Sequence, residues 1–246
     1  MIKLDPNTVS VLVQKAFCLE VLADKLDCTS RFHDLPDRPL EDFVIAAINV
    51  GPIFEAFVAD HQKGVKTLFH RHKEALRASN IHKSNKFVNF GLIEIMFPVV
   101  AARLGCDDPK LAVHKVVDLM KQASKEDVGY MVEARKLAWS SSEKKNEKLN
   151  DLTDVVRGAK SPFVYHEAIL RSSAATTSGH QWAKHYQDGL PWLAQQFDSL
   201  QKSKGPLLDR IKEAFDPVRR ENPNIRIGIL ADMCAAAIFL HLSFSE

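Results

Sequence analysis

Val9, Leu12, Val13, Ala16 and Phe17 recur at three- and four-residue intervals, the spacing of one buried stripe, and Asn7 is placed to cap the helix they define. The pattern predicts a first helix from about Thr8 to Lys25. Phe43, Ala47, Val50, Phe54 and Phe57 repeat the spacing after Pro39, a residue suited to an opening turn, so a second long amphipathic helix follows. Gly64 to Ala78 reads as a third helix, with His70, Arg71, His72 and Lys73 on its surface. "KFVNFGLIEIMFPVVAARLG" is apolar on nearly every side, as a helix at the centre of a bundle is, and Gly105 is a natural stop. Pro98 is expected to kink or divide it, and Glu94 sets a carboxylate among Ile93, Ile95, Met96 and Phe97. That carboxylate is either an acid with a raised pKa or a hydrogen-bonded core group.

Asp108 and Pro109 open another helix (Val113, Val116, Val117, Met120), and "KEDVGYMVEARKLAW" supplies the next. The polar stretch "SSSEKKNEKLNDLTD" predicts an exposed loop near 140–160. A helical pattern resumes from Pro162 to about Gln201, interrupted near Gly189 and Pro191, and helices from Pro206 and about Ile225 close the chain. "IRIGIL" alternates like a strand, yet no partner strand, hairpin turn or βαβ rhythm accompanies it, and no fixed period repeats. The fold class expected is therefore all-α: one compact multi-helix bundle, residues 1–246 forming a single helical domain.

At 246 residues, 46% of them hydrophobic, the chain has ample material for a core. Lys plus Arg (33) nearly balances Asp plus Glu (31), which argues against a nucleic-acid binder or a polybasic membrane binder. Cys18, Cys28, Cys106 and Cys234 form no CxxC pair, so a reducing compartment is expected. The N-terminus lacks the apolar run of a secretory signal, and "MCAAAIFLHLSF" is taken as too short to cross a bilayer, which needs about 20 residues. A cytoplasmic protein is the expectation. Apolar helices of this composition could also supply a homo-oligomer face.

Walker, GxGxxG, GxSxG and HExxH signatures are absent. His70 and His72, two residues apart, point to different faces of a helix and cannot chelate one metal. Ionisable chemistry is densest in "ADKLDCTSRFHDLPDRPLEDF", residues 23–43. Lys25 and Arg31 can neutralise phosphate, Asp34 and Asp37 can hold a hydrated Mg²⁺, and His33 is of the residue type suited to proton transfer near neutrality. The plain alternative is a solvated interhelical loop whose charges only keep it in water.

The same stretch resembles the first signature of the triphosphoribosyl-dephospho-CoA synthase family: a Glu near the end of helix one, then Ala-Pro-Lys-Pro-Gly, then Ser-Arg-aromatic-His-Asp in the shorter archaeal-type relatives. Glu20, Lys25, Ser30, Arg31, Phe32, His33, Asp34 and Asp37 fall in register with it. "FVNFGLIEIMFPVVAA" is similar to the family's Asn-Thr-Asn-Leu-Gly block through Asn89, Gly91 and Pro98. "WAKHYQDGL" is similar to its Ala-Arg-Glu-Tyr-x-x-Gly block through Ala183, Lys184, Tyr186 and Gly189. The resemblance implies an all-helical transferase in which a ribose 2′-hydroxyl displaces adenine from C1′ of ATP. The product is a triphosphoribosyl chain on 3′-dephospho-CoA.

Its implied partners are a nucleotide and a CoA-like or other cofactor-precursor small molecule, with Mg²⁺ accompanying ATP. Genes for methanopterin or methylofuran carriers near relatives leave a different acceptor open. The implied roles are Glu20, His33 and Asp34 in catalysis, and Lys25, Ser30, Arg31, Asn89, Gly91, Lys184 and Tyr186 in binding. Asp34 and Asp37 would hold the metal, in a cleft between helices one, two and four. Departures from the pattern fall at Leu26-Asp27 (Pro-Gly in the family), Phe87-Val88 (Asn-Thr) and His180-Gln181 (Arg-Asp), and the family's late Asp-Ser block is missing. A catalytically silent ligand- or partner-binding relative is the alternative these departures raise.

Overall fold

The computed structural model describes residues 4–33, 39–80, 87–139, 189–224 and 227–245. Among them are nine helices: α1 (Pro6–Leu22), α2 (Leu40–Gln62), α3 (His72–Ser79), α4 (Phe90–Leu104), α5 (Pro109–Gln122), α6 (Lys125–Trp139), α7 (Gly189–Lys202), α8 (Leu207–Glu221) and α9 (Ile227–Ser245). The all-α class is as expected, and the described part of "IRIGIL" is helix. The polar stretch near 140–160 and the helical pattern from Pro162 to Asp188 lie outside the described residues.

Several boundaries differ from the sequence pattern, each for a local reason. Asp5, not Asn7, caps α1: its carboxylate accepts from the Thr8 N–H (3.0 Å) and Thr8 Oγ1 (2.6 Å), and Pro6 takes the first turn, where a missing N–H costs nothing. The helix stops at Leu22 and leaves Lys25 outside. The third helix begins at His72 rather than Gly64. Gly64 sits at φ +94, and the N–H groups of Leu68 and Phe69 are taken by the buried Asp127 carboxylate (2.6 and 3.0 Å), which holds this stretch out of helical register. Pro98 neither ends nor divides α4. Its ring withholds one donor from the carbonyl a turn earlier, a defect that buried packing on all sides carries.

Helices α4 and α9 form the interior and are buried along most of their length. Helix α9 packs against α1, α4, α7 and α8. Around it α1 meets α2, α2 meets α3, α3 meets α4 and α6, α4 meets α5, and α7 meets α8. A run of rings ties three of these layers together: Phe17 meets Phe54 edge-on (6.5 Å), Phe54 stacks on Phe97 (4.6 Å), and Phe97 meets Phe57 (5.0 Å) and Phe69 (6.2 Å). The C-terminal apolar tract corrects one expectation. It belongs to a helix of 19 residues, which together with α2 is long and apolar enough to cross a membrane by length and composition, although most of α9 is buried inside the molecule. All four cysteines are free.

Candidate functional site

Where α1 ends, the chain turns sharply and Lys25 folds back over the helix terminus. Its Nζ pairs with Glu20 Oε1 (3.0 Å) and donates to the carbonyls of Glu20 and Ala23, placing an ammonium where a helix C-terminus favours one. The ring of Phe215 lies 5.7 Å from Nζ. The residue is only 2% exposed and Glu20 only 7%. Burial works against the Lys25 ammonium, but Glu20, with smaller help from the Cys28 and Cys234 thiols, outweighs it and holds the pKa above the ordinary lysine range. Burial holds the Glu20 carboxyl above the ordinary carboxylate range although Lys25 pulls it down, and the 3.0 Å contact with the Lys25 ammonium is that of an ion pair. Lys25 thus lies in the interior, facing Glu20.

The next residues are gripped by α8. Lys212 Nζ donates to the Asp24 carbonyl (2.6 Å) and lies 3.6 Å from the Asp24 carboxylate and 3.3 Å from Asp216. Asp216 accepts from the Leu26 N–H (3.0 Å), and Arg219 Nε donates to Asp27 Oδ2 (2.9 Å). Asp27 has φ +63, the left-handed region. Here the resemblance places Gly, which enters this region freely, and Asp tolerates it better than most side chains. Sequence reasoning missed the α8 partners. The i, i+4 spacing of Lys212 and Asp216 is visible in the sequence, but nothing there joins them to a loop some 190 positions earlier.

A tight turn ends the described loop. Ser30 N donates to His33 O (2.8 Å) and His33 N to Ser30 O (3.2 Å), while the buried Ser30 Oγ accepts from the Phe32 N–H (3.2 Å) and reaches Asp24 Oδ1 (3.5 Å). Ser30 therefore shapes the turn. Arg31, Phe32 and His33 are exposed at its tip, Phe32 at 63%, with the Arg31 guanidinium 4.7 Å from the Phe32 ring centroid. Asp34 and Asp37 lie outside the described residues, as do Lys184, Tyr186, His180 and Gln181.

Asn89 caps α4 in the left-handed region (φ +60), half-buried, and Gly91 follows in the first turn. Val88 is buried and Phe87 packs on the core, so the two apolar replacements face inward. Among the described residues no hydrogen bond or ion pair joins Asn89 to the 23–33 loop. Glu94 is a buried carboxylate 3.8 Å from the equally buried His72 Nε2, and the His72 ring is flanked by those of Phe69, Phe90 and Phe97. No cluster of three or more His, Cys, Asp or Glu that could hold a metal occurs among the described residues.

The loop, the turn and the Asn89 cap are the features on which a family comparison bears. The model of the ATP:dephospho-CoA triphosphoribosyl transferase family (CitG) matches residues 6–215, from the first residue of α1 to the middle of α8. The chain belongs to this family. Comparison with curated proteins and with solved structures returns no match. As a member of this family the chain is a transferase of triphosphoribosyl from ATP to dephospho-CoA, and the matched span includes every motif residue named above.

Proposed function

We propose that this transferase carries triphosphoribosyl from ATP to the ribose 2′-hydroxyl of 3′-dephospho-CoA, with the Arg31–His33 turn as its ATP-facing element. In this reaction a C–O bond forms between the acceptor oxygen and C1′ of ATP, the C1′–N9 bond to adenine breaks, and the hydroxyl proton, taken by a base, passes on to the leaving adenine nitrogen. The observation that carries the reading is the division of labour in the loop. Lys25, Asp24 and Asp27 are already paired with Glu20, Lys212 and Arg219, whereas Arg31 and His33 project from a turn fixed by its own hydrogen bonds.

Arg31 offers a planar fork to phosphate oxygens, and His33 can take the hydroxyl proton. Glu20 acts at one remove, by holding Lys25. Since the described loop carboxylates are neutralised by cations, Mg²⁺ arriving with ATP is left to Asp34 and Asp37, whose acceptor-only oxygens suit it. Asn89 and Gly91 open a helix beside the core and are assigned to nucleotide contact, as are Lys184 and Tyr186 from the third motif. A cytoplasmic setting, where both substrates occur, accompanies this reading.

The test is adenine release from Mg-ATP and dephospho-CoA. His33→Ala should lower kcat by roughly 100-fold, within the usual range for a general base, and Arg31→Ala should chiefly raise the KM for ATP. Tight nucleotide binding with no adenine released would favour a silent relative instead.

A further inference from the structure

The family match ends at residue 215, yet the contacts that fix the signature loop continue past it into the last turns of α8. Three side chains one or two turns apart hold three successive points of the loop: Lys212 on the Asp24 carbonyl, Asp216 on the Leu26 N–H, and Arg219 on the Asp27 carboxylate. Arg219 is itself braced, its Nη1 donating to the carbonyls of Asn222 (3.2 Å) and Pro223 (3.0 Å). The grip reaches the turn through Asp24, whose other carboxylate oxygen meets Ser30 Oγ, the atom that accepts from the Phe32 N–H.

The loop needs such a grip. Asp27 occupies a backbone region that side chains other than Gly enter at a cost, so without an external hold the segment has more comfortable conformations available. Asp216 Oδ1 and Arg219 Nε are both spent on the loop.

We propose that α8 is a clasp, and that Arg219 and Asp216 are positioning residues that keep the Arg31–His33 turn in its working geometry by holding Asp27 and Leu26. This rests on the reading that the turn faces ATP. The clasp itself is testable without activity, because Cys28 lies inside the held segment, half-buried, so that opening the loop should speed its labelling.

Native protein, Arg219→Ala, Lys212→Ala and the pair Asp27→Gly/Arg219→Ala are treated with iodoacetamide, and Cys28 modification is followed by peptide mass spectrometry alongside adenine release. Losing one charge-assisted contact should speed Cys28 labelling about tenfold in Arg219→Ala and lower kcat/KM for adenine release by a similar factor. Glycine at 27 takes the left-handed conformation unaided, so the pair should return both quantities to within about threefold of the native values. Lys212 is well exposed, so its variant folds whatever Arg219→Ala does, and it should loosen Cys28 in the same direction. Unchanged labelling in both single variants, or failure of Asp27→Gly to restore either quantity, overturns the clasp. If the native protein releases no adenine, the proposed activity falls, while the labelling arm still decides the clasp.

Discussion

Lys25 is the residue whose position most changes what an experiment at this site means. An ammonium and a carboxylate both removed from water repay their desolvation only while they stay together. Lys25→Ala strands the Glu20 carboxylate in the interior and should cost about 3–5 kcal/mol, visible as a lower urea midpoint. Glu20→Leu with Lys25→Met removes both charges at similar volume and should recover most of that loss; a double variant as unstable as the single would show the pair is not the cause. Loss of activity in Lys25→Ala alone therefore says little about chemistry.

Asp60 gives a pH test on the other side of the molecule. Its hydrogen bond from Arg71 (2.8 Å) holds the carboxyl below the usual range, with burial opposing and His70 (3.1 Å) adding to the pull. A depressed acid contributes stability above its unfolded pKa of about 4 and loses it as pH falls through the folded value. Native protein should thus lose more stability than Asp60→Asn between about pH 5 and pH 3, measured by thermal melts, and parallel losses would contradict the assignment.

Among the elements, the long periodic helices were readable because a 3.6-residue stripe is a local signal: α1, α2, α4 and α5 lie where their apolar spacing puts them. The stretch between α2 and α3 was not, since its shape is set by Asp127, some 60 residues later, accepting from two backbone N–H groups at once. Asp127→Ala should free that segment and destabilise the protein by about 2–4 kcal/mol through two orphaned buried donors, as urea titration would report. The same distinction runs through the candidate site. Motif residues Ser30 to His33 were legible as a group, but whether each faced solvent or core depended on α8, whose partnership leaves no trace at either position. Lys25 and Ser30 read as ligand-binding groups because a sequence shows residue type without showing direction.

At the scale of the whole molecule, the family match stops before α9, the helix that fills the centre. Ile229, Leu230, Met233, Ile238, Phe239 and Leu240 are all buried there. At about 1.5–3 kcal/mol for each such side chain, together they are comparable to a typical net stability of about 5–15 kcal/mol. Removing residues 227–246 should therefore abolish cooperative thermal unfolding, even though the whole matched span would remain. A truncated chain that still melted cooperatively would place the core elsewhere.

The most direct measurement is the amount of free adenine formed when the intact chain meets Mg-ATP and dephospho-CoA, compared across native protein, Arg31→Ala and His33→Ala. The account predicts one adenine for each triphosphoribosyl-dephospho-CoA, with turnover collapsing in His33→Ala and the KM for ATP rising in Arg31→Ala. Adenine release that ignores both substitutions, or none from the native protein, would contradict it.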